Sequence, residues 1–483
     1  MIRRRTITSY VWNSVSGNKM VILSNCIRNF FRKFELSGNS TQGENPSPDN
    51  PQEIKSAGRK SKNLFNIADL RVGQVQKDGT INEKQIYYRT VILDVPQDGK
   101  YRITFNSNDD YTMLYFTEAY ANEVYSNPYL RVHAGSPNYY ITLAKGKNIL
   151  SFSTHTASGN IAFTTDHNIM IAAESETLDY EPYGYFFDVK VTRKNLLNLQ
   201  KEPDVKGVYQ GWKVGDGEKT IVLSIKDKGN NVDITKCSIG VSGNGINPND
   251  GLGWIVQDGV IKRSEIKTIN PYVSIYPPNE TSVQKFLERF DIQAEYGEIA
   301  TSYEPYTEQS VQIALDEPLR GIGEYKDVLT KDGVVRKIKR IVFDGSEDEK
   351  WGIGIERENV IDFVSTQFSD ATKINEHQRS MMDKLKWSSG VWGRDEIGQD
   401  MFARILRINM PKTLAPDLQT FKTWLSQNPL TVDYVLAEPV TEPLPESVQA
   451  QLQALHSENG VTHVFVDSGE VPCGINIEYK YKS

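Results

Sequence analysis

Apolar and polar positions alternate with a period of two along much of this chain, in short runs closed by turn-forming pairs. Ile86–Leu93 and Tyr101–Phe105 are two such runs, and Asp98-Gly99 stands between them. A period of two puts alternate side chains on one face of a strand, and Asp-Gly accepts the positive φ of a tight hairpin. Further runs at Met113–Thr117, Tyr139–Leu143, Ile149–Ser153 and Asn168–Ala173 predict strands. Many short strands with almost no helical period predict a β-sandwich over residues 61–187. The same texture returns over residues 193–307, with strands expected at Gly207–Val214, Thr220–Ile225, Gly253–Val256, Tyr272–Tyr276 and Phe290–Ala294. Asp216-Gly217, Asp250-Gly251 and Asp258-Gly259 supply turns there, and Ser282–Arg289 reads as a short amphipathic helix.

Residues 309–483 read differently. A strand, Val334–Phe343, is framed by Asp332-Gly333 and Asp344-Gly345. Ala415-Pro416-Asp417 is a helix start followed by apolar Leu418, Phe421, Trp424 and Leu425 on one face. A strand at Leu430–Leu436, a second helix from Pro445-Glu446 to about His456, a stop at Asn459-Gly460 and strand-like Val464–Tyr481 complete an α+β region. The fold class is therefore mainly β: two tandem β-sandwich domains followed by a smaller α+β C-terminal domain.

The two sandwich regions share entry and exit tags. Lys62-Asn63-Leu64-Phe65-Asn66 opens the first, and Tyr180-Glu181-Pro182-Tyr183 closes it. Lys194-Asn195-Leu196-Leu197-Asn198 and Tyr303-Glu304-Pro305-Tyr306 do the same for the second. Matching tags at similar separation mark two copies of one module. The words Ile171-Ala172-Ala173-Glu174 and Ile292-Gln293-Ala294-Glu295, before the exits, suggest that Glu174 and Glu295 occupy related places. The proline after glutamate forces an extended exit, and the tag tyrosines are expected to pin it to the sheet. Ahead of the modules, residues 1–34 hold seven Lys/Arg and no acid, which reads as a poorly ordered basic tail. Residues 35–60 are rich in Ser, Asn and Pro and read as an extended connector.

Composition narrows the function classes. A net charge of -7 offers no global attraction to nucleic acid or to an anionic membrane. No run approaches the length of a membrane span, and no apolar stretch of signal-peptide type follows Arg3-Arg4-Arg5. Synthesis in the cytoplasm is expected, without membrane insertion. Cys26, Cys237 and Cys473 lie far apart and predict reduced thiols. There is no phosphate-cradling glycine loop, no His-Glu-x-x-His and no Gly-x-Ser-x-Gly elbow. Asp109-Asp110 could be read as a hydrolytic pair, but adjacent carboxylates after Asn106-Ser107-Asn108 suit a solvated turn better. An enzyme is not expected.

Three sets of residues resemble the minor structural (tail or tail-fibre) proteins of phages and prophages of Gram-positive bacteria. The first is Leu36-Ser37-Gly38-Asn39-Ser40-Thr41-Gln42 through Pro46-Ser47-Pro48-Asp49-Asn50-Pro51, running into the Lys62-Asn63-Leu64-Phe65 entry. The second is the pair of Tyr-Glu-Pro-Tyr exits. The third comprises Glu317-Pro318-Leu319-Arg320, Arg340-Ile341-Val342-Phe343-Asp344-Gly345, Trp424-Leu425-Ser426-Gln427-Asn428-Pro429-Leu430 and Tyr434-Val435-Leu436-Ala437-Glu438-Pro439. The resemblance covers the chain from about Leu36 onward. It implies a virion tail component whose sandwiches are jelly rolls similar to carbohydrate-binding modules. It also implies a host cell-surface glycan and other tail or baseplate proteins as partners.

Sugar binding needs aromatic faces for C–H surfaces and polar groups for hydroxyls. Asp110, Tyr111, Tyr125, Tyr129 and Arg131 in the first module, with Trp212 and Trp254 in the second, are the candidates. Core packing competes for each aromatic. No cofactor is expected beyond a possible structural Ca²⁺, for which Glu174 and Glu295 are the weak candidate ligands. A homo-oligomer is possible, although no heptad run supports one. Two alternatives remain: a cell-wall polysaccharide depolymerase carrying binding modules, and a non-binding spacer of the tail.

Overall fold

A computed structural model describes residues 2–8, 18–76, 80–104, 111–117, 129–132, 139–153, 155–156, 159–160, 168–176, 179–244, 253–257, 260–261, 265–371, 380–387, 398–402 and 404–482. The fold is mainly β, with 54% strand against 9% helix. The chain divides into two compact units. One holds residues 1–58, 187–313 and 319–483, and the other holds 59–186 and 314–318.

The larger unit is organised on a long sheet drawn from distant parts of the sequence. Its strands are β1 (Ile2–Thr8), β2 (Asn18–Cys26), β3 (Lys33–Ser37), β4 (Tyr185–Arg193), β5 (Glu308–Leu315), β6 (Val328–Leu329), β7 (Gly333–Phe343), β8 (Met381–Met382), β9 (Leu430–Pro443), β10 (Gly460–Asp467) and β11 (Gly474–Lys482). The order is β5-β4-β10-β2-β11-β3-β6-β7-β9-β8, with β1 antiparallel to β11. Residues 18–34, expected as part of a disordered tail, thus sit in the middle of the sheet. The physical reason is apolar content hidden by the basic bias: Met20, Val21, Leu23, Phe31 and Phe34 are all buried. The connector is also more ordered than its composition suggests. Ser40–Thr41 pairs with Lys55–Ser56, and Ile54 and Ala57 are buried.

The second sequence module folds within this unit. The strand Glu265–Tyr276 pairs with Gln210–Lys213 and Ser238–Asn244 through its second half and with Glu218–Asp227 through its first. The halves join at Asn270, whose φ of 50° lets the chain turn, and Asn270 exchanges two 2.8 Å hydrogen bonds with Gly217. Helix α1 (Glu280–Arg289), capped by Asn279, places Phe286 in a core with Trp212, Ile221, Leu223, Ile239, Val273, Ile275 and Ile292. A second core surrounds helix α2 (Leu418–Gln427), where Phe421 stacks on Phe363 with centroids 4.1 Å apart and meets Trp351 edge to face.

The smaller unit contains the first module. One sheet runs Tyr129–Val132, Tyr111–Thr117, Gly146–Ser153, Tyr88–Val95, Arg71–Val72, and the other runs Tyr139–Leu143, Gly99–Thr104, Met170–Ala173. Val91, Leu93, Tyr101, Ile103, Ile141, Leu150, Phe152 and Ile171 fill the space between them.

The duplicated tags do the same work in both modules. Asn63 donates to Ile169 O and accepts from the N–H groups of Phe65 and Ile171. Asn195 donates to Ile292 O and accepts from the N–H groups of Leu197 and Ala294. Both asparagines are 1% exposed. Each closes the backbone of the entry onto the last strand, where water cannot reach. The equivalences are therefore Ile169 with Ile292 and Ile171 with Ala294. The expected match of Glu174 with Glu295 is two residues out of step, and the position equivalent to Glu295 is Ala172. Glutamate and one tyrosine of each tag hold the exits. Glu181 accepts from Arg59 at 2.7 Å and from Lys62 N at 3.1 Å, Glu304 pairs with Lys194 at 3.4 Å, Tyr183 and Tyr306 are half-buried, and Lys190 lies over the Tyr306 ring, while Tyr180 and Tyr303 remain 42% and 40% exposed.

Candidate functional site

Of the sequence candidates, three stand on two paired strands of the first module and two lie in the second. Asp110 and Tyr125 lie outside the described residues. Tyr111, Tyr129 and Arg131 stand on paired strands whose backbone alone is described, with Tyr111 opposite Val132 and Tyr129 opposite Leu114. Trp212 and Trp254 are each 3% exposed. The Trp212 indole donates to Lys201 O at 2.8 Å, and Trp254 packs toward Tyr276. Neither ring offers a face to a sugar, since both are buried, Trp212 within the core of the second module.

The weak calcium candidates separate as well. Glu174 is exposed and pairs with Lys100 at 2.7 Å. Glu295 is buried and accepts from Gln293, from Thr301 N at 3.2 Å and from Thr301 Oγ1 at 2.9 Å. Among the described residues, no three His, Cys, Asp or Glu side chains form a metal-binding group. Cys26, Cys237 and Cys473 are free and buried, and burial pushes the Cys26 and Cys473 thiols up to about 11.

Two recesses stand out in the larger unit. The first is a groove of about 560 Å³ lined by Ser40 to Pro46, Met381, Lys386 and Trp387. The groove adjoins a recess of about 340 Å³ that shares Ser40, Met381 and Trp387 and adds the Gly321–Gly323 turn. Its walls are built locally. Ser40 Oγ bonds Ser56 Oγ at 2.8 Å and accepts from Gly321 N at 3.1 Å. Gln42 donates to Gln52 O at 3.2 Å and to Met382 O at 2.5 Å, tying the loop to β8. Asn45 adopts φ 53° and accepts from Lys386 Nζ at 2.7 Å. Behind Trp387, Gln399 is buried, accepts from Ser380 and donates to Ser380 O at 3.0 Å. Trp387 is half-buried, while Thr41, Glu44 and Asn45 on the rim are exposed. An indole beside exposed hydroxyl, carboxylate and amide groups is what saccharide recognition requires. The signal present in sequence was the polar Asn39-to-Asn45 loop; Trp387 itself alternates with Lys384, Leu385 and Lys386 like a core position.

The second is a cleft of about 300 Å³ between the second module and the long sheet. Its lysine-rich lining is chemically unlike the groove. No family model matches this chain, and searches among curated proteins and among solved structures find no match either.

Proposed function

We propose that this chain is a tail-associated structural protein of a phage or prophage that adheres to host carbohydrate by multivalent, non-covalent contact. The observation that carries the reading is the groove around Trp387, where one partly exposed indole lies beside Thr41, Glu44 and Asn45. A sugar ring stacks its C–H face on such an indole, and its hydroxyls take the rim groups as partners. The resemblance of the Leu36–Pro51 phrase supports the reading, since part of that phrase forms the groove wall. Duplicated sandwich modules suit a protein that displays a surface. Single weak sugar contacts become effective when several copies act together.

The test uses the full chain incubated with Gram-positive cell walls, with retained protein and released reducing sugar measured in one tube. Retention without sugar release is expected, with retention falling in Trp387→Ala while the melting temperature stays put. Wild-type protein that is not retained would favour a tail spacer. Released sugar would identify a depolymerase, and retention unchanged in Trp387→Ala would sink the groove.

A further inference from the structure

We propose that the groove at Trp387 and the recess beside it are two adjacent subsites of one cleft, so that its ligand is an internal stretch of a polysaccharide, at least two linked rings long, rather than a single terminal sugar. This inference rests on the sugar-binding reading and deepens it, because it fixes the form in which the sugar is recognised. The groove holds about 560 Å³ and the recess about 340 Å³. Both fall within the range of about 300–1,000 Å³ that accommodates a small ligand. Ser40, Met381 and Trp387 line both and so form the ridge between them. A single ring occupies one side of that ridge. Two linked rings occupy both sides and share the indole between them.

The two hollows differ in chemistry. The groove carries Glu44 and Lys386 on its exposed rim. Besides the three shared residues, the recess is lined by Asn39, Gly321, Ile322, Gly323 and Ser380, with no charged side chain among them. A charged substituent there would lose its hydration and meet no counter-charge. The recess therefore takes an uncharged ring, and a ring that bears a charged substituent belongs in the groove. The frame between the hollows is preset. Ser40 Oγ accepts from Gly321 N at 3.1 Å, and Gln42 ties the loop to Met382 O. At Gly321 backbone lies against backbone, since a Cβ there would sit 2.8 Å from Gly38 O. At Gly323, with φ 59°, a Cβ would meet only open space, so that side of the recess stays clear. A frame held in this way loses little freedom when a chain is laid across it, so the contacts of the second ring add to affinity.

The experiment uses cell walls that retain the full chain. They are partially hydrolysed, and the fragments are separated into monosaccharide, disaccharide and tetrasaccharide pools. Each pool is titrated as a competitor against retention of the full chain on intact walls. The larger pools should displace the protein at no more than about a tenth of the ring concentration that the monosaccharide pool needs. Asn39→Phe fills the recess and should abolish that advantage, with monosaccharide displacement and melting temperature unchanged. Asn39→Ala, which cannot overpack the site, should reduce the advantage several-fold. Wild-type protein that the walls do not retain removes the groove reading and this inference with it. This inference alone is overturned, and the groove reading stands, if retention depends on Trp387 but the monosaccharide pool is as effective per ring as the larger pools. The same holds if both Asn39 variants keep the wild-type advantage.

Discussion

His463 makes the long sheet acid-labile. It lies on β10, opposite Ile22 of β2 on one side and Thr192 of β4 on the other. Its ring is 3% exposed, Nδ1 donates to Arg193 O at 3.0 Å, and Tyr296 of the second module meets it edge to face at 5.6 Å. Burial pushes its pKa down from the ordinary 6.5 to about 4, against the backbone hydrogen bond, which favours the charged form. The folded value lies below the unfolded one, so the neutral ring stabilises the fold. That contribution is complete above pH 6.5 and is lost as pH falls toward about 4, where the folded ring also takes a proton. The whole gap corresponds to about 3 kcal/mol, of which about 2 kcal/mol is lost by about pH 5, before most carboxylates titrate. Urea unfolding at about pH 7 and about pH 5, followed by far-ultraviolet circular dichroism, measures it. His463→Asn is the control, since its amide can still donate to Arg193 O but does not titrate. Wild type should lose about 2 kcal/mol between the two conditions and the variant much less. Equal losses in the two proteins would refute the assignment.

Other perturbations test the scaffold. Asn63→Ala and Asn195→Ala should each cost about 2–3 kcal/mol in thermal unfolding, because each removes the partner of two buried N–H groups and of one carbonyl at Asn63 or two at Asn195. The two clamps belong to different modules, so the double variant should show the sum. Asp327→Ala should cost about 3–5 kcal/mol in chemical denaturation. The Asp327 carboxylate accepts from Arg320 N, Lys337 N and Ile338 N at the β7 irregularity and pairs with the buried Arg336. Gly38→Ala should cost about 1–3 kcal/mol, read as a lower melting temperature, since a Cβ there would sit 2.3 Å from Arg320 O. A Gly38→Ala protein as stable as wild type would mean that the Leu36–Ser40 and Leu319–Gly321 backbones have room to part.

Much of the local structure was legible in the sequence because local rules decide it. Period-two runs at Tyr139–Leu143 and Ile149–Ser153 are strands, Asp417 does cap α2, and the duplicated Lys-Asn-Leu tags do mark equivalent positions. What was not legible depends on long-range pairing. Nothing local in residues 18–26 says that they lie between β10 and β11, and the basic bias of residues 1–34 as a whole masked a run whose buried positions include Met20, Val21 and Leu23. The Glu174–Glu295 match failed for another reason. Four similar letters align easily at the wrong register, and only the Asn63 and Asn195 hydrogen bonds fix which residues correspond. Trp212 and Trp254 failed because residue type cannot tell a platform from a core ring. Around Trp212 the alternation with Lys213 and Val214 pointed inward, whereas the continuous run Trp254-Ile255-Val256 is buried on both faces.

The same long-range pairing decides where chemistry can arise. The cleft beside the second module is lined by Met20 of β2, Lys190 and Thr192 of β4, and Phe465 of β10. Met20 faces Phe465, which faces Lys190 in turn, so three distant segments must meet before Met20, Phe465 and Lys190 share a face with Thr192. The opposite wall, from Lys201 to Lys219 with Tyr296, comes from one module. Such a cleft cannot be carried by either copy of the duplicated module alone. In the first module the position matching Tyr296 is Ala173, on a strand that pairs within that module's own sheet. The distinction is physical: each Asn clamp joins the entry and the last strand of one module, whereas this cleft is assembled from one module and three strands outside it.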